Sequence, residues 1–276
     1  MPFPSDFFFS QNNLQTFVDC QRRFELLYLL KMKWPAVQTE PVLEQERHIR
    51  LGERFHQMVY QHHQGIPVDV LSASASDPDL SRWWQNYLQY SPSDLPVQQN
   101  SEYFLSIPFL GFRIMARYDL LAHNNGKSAV IIDWKTSLHK IPSHFLANRI
   151  QTRLYPFILA KSLTNPTTNE LIAPDQISMI YWFPNFPRDP VTFAYDSEKF
   201  TKDQLFFSEL ISKISTIEPG NFPLTDDIRK CRFCVYRSLC DRGREAGDLE
   251  QNEDQLEEEG SLFSDIDPEQ IAAIAF

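Results

Sequence analysis

Asp133 and Lys135 stand two apart in the run Val130-Ile131-Ile132-Asp133-Trp134-Lys135-Thr136. Alternation along an extended strand sends their side chains to one face and Trp134 to the other, so a carboxylate and an ammonium emerge side by side at a strand end. Asp119 follows Ala116-Arg117-Tyr118 in the preceding apolar stretch, and a tight hairpin can lay it beside Asp133. Two carboxylates that close repel each other unless a cation lies between them, and oxygen ligands of this kind suit magnesium or manganese. Such an ion polarises a phosphodiester and generates hydroxide, with Lys135 orienting the attacking water or neutralising the developing charge.

An Asp-x-Lys triplet alone is more often a solvated charge pair, so its companions matter. His56 follows Gly52 as Gly-x-x-x-His beside an apolar stripe, where its imidazole offers a further metal ligand. Gln151 and Tyr155 sit at i and i+4 after the strand, one step round from a buried helical stripe, so both can reach back to the carboxylates. Taken singly, a structural histidine and a hydrogen-bonding helix edge explain them as well; their order and spacing together carry the reading.

A second constellation is made of thiols. The only cysteines are Cys20, Cys231, Cys234 and Cys240. Three within ten residues, with Cys20 as the sole available fourth, form a set that binds zinc or an iron–sulfur cluster, and spacing alone does not choose between them. Either would tie residue 20 to residue 231 and restrict the unfolded chain as a long-loop crosslink does.

The elements that must position these groups follow from periodicity. Leu14, Phe17, Phe24 and Leu27 recur at helical spacing over about 11–33, after a Ser10 cap and before Pro35. Further helices are expected over about 43–63, with Leu51, Phe55, Met58 and Val59 inward, and over about 78–90. The period then becomes two, predicting strands at about 97–107 and 112–122 hinged at Gly111, then a His123-Asn124-Asn125-Gly126 turn and a strand at about 128–135. A helix over about 143–161 follows, in which Pro156 should produce a kink near Thr152. Strands near 176–183 and 190–195 and a helix near 197–216 complete the series. This order predicts an α/β fold with a mixed central sheet flanked by helices.

The net charge of −10 is unevenly spread: residues 241–276 hold 12 acidic and 2 basic side chains, leaving 24 of each sign before them. The first 240 residues are therefore expected to fold as one neutral domain, and 245–276 to be an acidic, largely disordered tail. No stretch approaches the ~18 apolar residues of a membrane helix, and Met1 to Ser10 lacks a basic residue ahead of its phenylalanines, so a cytoplasmic protein is expected. Gly126-Lys127-Ser128 ends like a phosphate-binding loop, but Leu121 stands where the first glycine must be, which argues against an ATPase. Arg113, Arg117, Lys140, Arg149 and Arg153 are candidates for a phosphate-binding groove, and Phe112, Tyr118 and Trp134 for base stacking.

Taken together, Gly52…His56, Asp119, Asp133-Trp134-Lys135-Thr136 and Gln151…Tyr155 resemble the nuclease domains of RecB- and AddB-type helicase–nucleases and of the four-cysteine CRISPR-associated exonucleases, within the PD-(D/E)XK superfamily. The resemblance implies a restriction-endonuclease-like core over 96–216, preceded by a helical part over 11–95 and followed by a cysteine-rich cluster-binding segment over 217–244. It implies Mg2+ or Mn2+ held by His56, Asp119 and Asp133, catalysis by Lys135, and support of the site or its DNA by Gln151 and Tyr155. It also implies a [4Fe–4S] cluster on Cys20, Cys231, Cys234 and Cys240, with zinc the second candidate. The expected activity is cleavage of DNA, preferentially single-stranded and by an exonuclease, in recombination, repair or CRISPR adaptation, with a helicase or a CRISPR or repair protein as partner. Ala116 and Tyr118 stand where that family usually has Gly and Pro, and Gln21 where Pro follows the first cysteine. Two alternatives differ in class: a non-catalytic iron–sulfur DNA-binding module, and a zinc-stapled RNA-processing protein.

Overall fold

The computed structural model, which describes residues 3–4, 6–33, 40–231 and 234–243, builds one six-stranded sheet. Its strands are β1 (Phe8–Phe9), β2 (Gln98–Phe109), β3 (Phe112–His123), β4 (Ala129–Trp134), β5 (Ile177–Trp182) and β6 (Val191–Ala194). They lie in the order β1-β3-β4-β5-β6, with β2 also paired to β3. Leu110 and Gly111 both have positive φ (51° and 82°), the two-residue turn geometry whose twist matches the strands it joins. β2, β3 and β4 run antiparallel in succession, whereas β4 and β5 are parallel. A parallel pair needs a crossover, and α6 (Ser143–Asn148) and α7 (Ile150–Ser162) supply it.

Both faces of the sheet are covered, which is why β4 reads as an almost unbroken apolar run. Ile131 belongs to a core with Phe9, Leu14, Leu154, Phe157 and Phe207, drawn from β1, α7 and the helices α1 (Gln11–Asp19) and α8 (Ser197–Thr216). Its neighbour Ile132 points the other way, into a core with Phe55, Met58, Trp83, Trp84 and Trp182. That second layer comes from α3 (Glu40–His63), α4 (Val68–Ser74) and α5 (Pro78–Tyr90). The predicted mixed sheet between helices is therefore present. Among the described residues no helix is long and apolar enough to cross a membrane.

The departures from the predicted elements have local causes. The helix expected over 11–33 breaks at Cys20, which is extended (φ −158°, ψ 111°), before α2 (Gln21–Phe24) and a π-helical turn, Glu25–Leu29. Arg22 N–H donates to the Pro223 carbonyl at 3.0 Å, so an amide that would continue the helix is spent on a distant segment. The helix expected over 143–161 breaks at Arg149 (ψ 143°) rather than bending at Thr152, and α7 runs through Pro156. There Ile150 N–H donates to Gln15 Oε1 at 3.1 Å. β1 and α4 were not expected; two and seven residues are too short to show a period. Pro35 and the acidic tail at 245–276 lie outside the described residues.

Candidate active site

Register brings the acidic side chains together. Ser101 pairs with Leu120 and Tyr103 with Tyr118, which sets Glu102 opposite Asp119; Leu120 pairs with Ile132, which continues to Asp119 opposite Asp133. Asp133 in turn pairs with Tyr181. Three carboxylates thus occupy one level of three adjacent strands, where directly opposed like charges destabilise a sheet. Glu102 also has a φ of 53°, a left-handed conformation that costs a non-glycine residue about 1–3 kcal/mol.

The acids meet an imidazole from α3. Ligand atoms of His56, Glu102 and Asp119 all lie within 4.8 Å of one another. His56 Nδ1 is 3.5 Å from Asp119 Oδ2, which also accepts the Trp134 N–H at 2.9 Å. Burial alone would depress His56, but the charge and hydrogen bond of Asp119, then Asp133 and Glu102, push its pKa up to about 9. Burial opposes ionisation of Asp119, yet His56, the Trp134 amide and Lys135 hold it below the usual carboxylate range. Asp133 is shifted upward by burial, helped by the charge of Asp119 and opposed by Lys135, and Glu102 upward by burial and then by Asp119.

Asp133 is 4% exposed. Its Oδ1 accepts the Gln151 amide, and Gln151 Oε1 accepts from Lys135 Nζ at 3.0 Å. Lys135 Nζ also lies 2.7 Å from the buried Asp133 Oδ2, so an ammonium is the partner of that oxygen. The His56, Glu102 and Asp119 ligand atoms, with the Asp133 carboxylate within electrostatic reach of them, are a donor set that fits a hard divalent cation such as Mg2+ or Mn2+. Two neighbours fix the frame. Tyr181 Oη is 2.7 Å from Thr152 Oγ1, with Lys135 Nζ 5.6 Å from its ring centroid. Gly52 lets α3 approach the end of β4: a β-carbon there would meet Thr136 Oγ1 at 2.8 Å.

His56, Asp119, Asp133, Lys135 and Gln151 are thus brought together. Of the trio expected to hold a metal, His56 and Asp119 fall with Glu102 in one compact group, while Gln151 and Lys135 hold the Asp133 carboxyl. Tyr155 goes elsewhere: it is 3% exposed in the α7 core, its ring 5.0 Å from that of Tyr118, which also donates to its carbonyl. Glu102 and Tyr181 were missed by sequence reasoning. Counting register back from Gly111 would have found Glu102. The expected cationic groove is thinned as well, since Arg153 pairs with Asp203 at 2.6 Å and Lys140 pairs with Asp189. Tyr118 and Trp134 are core residues.

At the C-terminal end of α1, Cys20, Cys231, Cys234 and Cys240 line one pocket as free thiols, with Arg23 and Arg237 at its wall. Burial and then the neighbouring Cys20 push the Cys231 and Cys240 thiols up. The pocket is clasped independently of the thiols. Lys230 Nζ pairs with Asp19 at 2.6 Å, Tyr236 Oη donates to the Met32 carbonyl at 2.7 Å, and Gly220 N–H donates to buried Glu25. Among the described residues no three cysteine sulfurs lie within 4.8 Å of one another.

Residues 9–241 match the profile of the PD-(D/E)XK nuclease superfamily. No curated protein matches the chain. Of the solved structures, SSO0001 is similar at 13% identity and a TM-score of 0.39, over 84% of this chain and 85% of that one. A provisionally named exonuclease from Eubacterium rectale is similar at 10% identity and a TM-score of 0.47, over 89% and 92%.

Proposed function

Because the chain belongs to the PD-(D/E)XK nuclease superfamily, we propose that the site where β3 passes the end of β4 hydrolyses phosphodiester bonds in DNA with Mg2+ or Mn2+. The observation that carries this is the grouping of His56, Glu102 and Asp119 ligand atoms within 4.8 Å of one another, next to the buried Asp133–Lys135 pair. His56, Glu102 and Asp119, with Asp133 adjoining, would hold the ion. When bound, it polarises the scissile phosphate and makes water a better nucleophile. The Lys135 ammonium neutralises charge developing on the phosphoryl oxygens or orients the attacking water, and Gln151, bonded to both Lys135 and Asp133, keeps the two at fixed separation.

The finer reading is a single-strand-preferring exonuclease of the RecB/AddB-like and CRISPR-associated iron–sulfur type, acting in the cytoplasm in recombination, repair or CRISPR adaptation with a helicase or repair protein. In it residues 1–240 form one domain, with its cluster held at 217–244. One observation supports a [4Fe–4S] cluster on the four cysteines: they share one pocket. Digestion of end-labelled single- and double-stranded DNA with Mg2+ or Mn2+ tests the reading. Cleavage that disappears in Asp133→Asn and Lys135→Met while their folds persist supports it; no cleavage by the native protein with either ion leaves a non-catalytic DNA-binding module.

A further inference from the structure

The β2–β3 hairpin has two unlike faces. Ile107, Ile114, Ala116 and Tyr118 turn inward to the core. On the opposite face β2 and β3 pair Pro108 with Arg113, Ser106 with Met115, and Phe104 with Arg117, and beyond them Glu102 and Asp119 stand between the pairs Tyr103–Tyr118 and Ser101–Leu120. Phe104 is 50% exposed, although phenylalanine is ordinarily placed in a core. Arg113 is pinned along the strand by donating to Ser106 Oγ at 2.9 Å and to the Ser106 carbonyl at 3.2 Å. Arg117, with 56% of its side chain exposed, pairs with Glu102 through Nε at 2.5 Å.

These groups form a line that ends in the carboxylates. At about 3.4 Å per residue, Arg117 lies roughly 7 Å along the strand from Asp119, and Arg113 roughly 14 Å beyond it. A cation, an exposed ring with a second cation beside it, and then a phosphodiester-cleaving centre are the parts that take a single nucleic-acid strand: arginines for the phosphates, a ring for a base face. Of the other candidate cations, Lys140 and Arg153 pair with Asp189 and Asp203 away from this line, whereas the acid that Arg117 pairs with, Glu102, belongs to the carboxylate group at its end. We propose that this outer face of the hairpin is the track along which single-stranded DNA reaches the carboxylates, with Phe104 stacking on a base and Arg117 and Arg113 contacting phosphates. The proposal rests on the nuclease reading above and extends it to how the strand is led in.

Fluorescence anisotropy of labelled oligo-dT in chelator, where nothing is cut, tests the track. Phe104→Ala should weaken binding by about five- to a hundred-fold, and Phe104→Trp should restore it. Arg113→Ala should lower the slope of log affinity against log salt by about 0.7, one phosphate contact on a single strand. Both side chains being on an open face, melting temperatures should not change. Hydrolysis of a thymidine phosphodiester too short to reach Phe104 separates the two readings. If the native protein hydrolyses that ester while Phe104→Ala and Arg113→Ala bind oligo-dT as the native protein does, the track is overturned and the nuclease reading stands. A native protein that neither hydrolyses the ester nor binds oligo-dT overturns both.

Discussion

Gly52 lies one helical turn before His56, and its missing side chain is what lets α3 pass the residue after Lys135. A β-carbon there would sit 2.8 Å from Thr136 Oγ1, where ordinary contact begins at 3.4 Å, so helix or threonine must yield by roughly half an ångström. Two effects compete in Gly52→Ala. Alanine in a helix interior gains about 1 kcal/mol over glycine, and overpacking against a β-branched, rotationally stiff threonine costs about 1–3 kcal/mol. The substitution should therefore destabilise the native protein by about 1 kcal/mol. In a Thr136→Ala background, where the clashing oxygen is gone, it should stabilise by about 1 kcal/mol, a coupling of about 2 kcal/mol. Urea midpoints of the four proteins measure this directly. Because the shift moves His56 against Lys135, cleavage by Gly52→Ala should fall about ten- to a hundred-fold. Stabilisation by Gly52→Ala in both backgrounds, with activity kept, would refute the close-approach argument.

Other expectations are as direct. Gln151→Ala removes the partner of Lys135 Nζ and Asp133 Oδ1; kcat should fall about tenfold or more at little change in KM, with about 1–3 kcal/mol lost in denaturant melts. In chelator, His56 carries a folded pKa of about 9 against 6.5; its stabilisation is complete below the lower value and fades as pH rises through the higher one. Native protein should therefore lose more melting temperature across that window than His56→Gln, and cation uptake at neutral pH should release about one proton, read from the buffer dependence of calorimetric heats. Cys20→Ala should lose iron and, in air, about 3–5 kcal/mol of stability, since it opens a loop from residue 20 to residue 231; full iron content with unchanged melting would end the cluster proposal.

What could be read in the sequence was what local chemistry decides. α5 and α8 have the predicted limits because their periods, Pro78 and the apolar stripe of Phe207, Ile211 and Ile214 are local signals. β4 was legible because burial on both faces demands an apolar run. The breaks at Cys20 and Arg149 were not, since each depends on an amide donating to a residue far along the chain, Pro223 for Arg22 and Gln15 for Ile150. Within the site, Asp133 and Lys135 follow from strand alternation. Glu102 follows from hairpin register and not from alternation along its own strand, which its left-handed backbone interrupts. Spacing i, i+4 placed Gln151 and Tyr155 on one helix flank, yet the modest rotation between them puts one on the carboxylates and the other against Tyr118.

Anomalous scattering from a crystal soaked in manganese puts the central claim to its most direct test. The account predicts one strong peak bounded by His56, Glu102 and Asp119, on the side facing Asp133 Oδ2, and its disappearance in Asp119→Asn. A soaked crystal with no manganese between those side chains, or with manganese bound only at a place remote from Lys135, would contradict it.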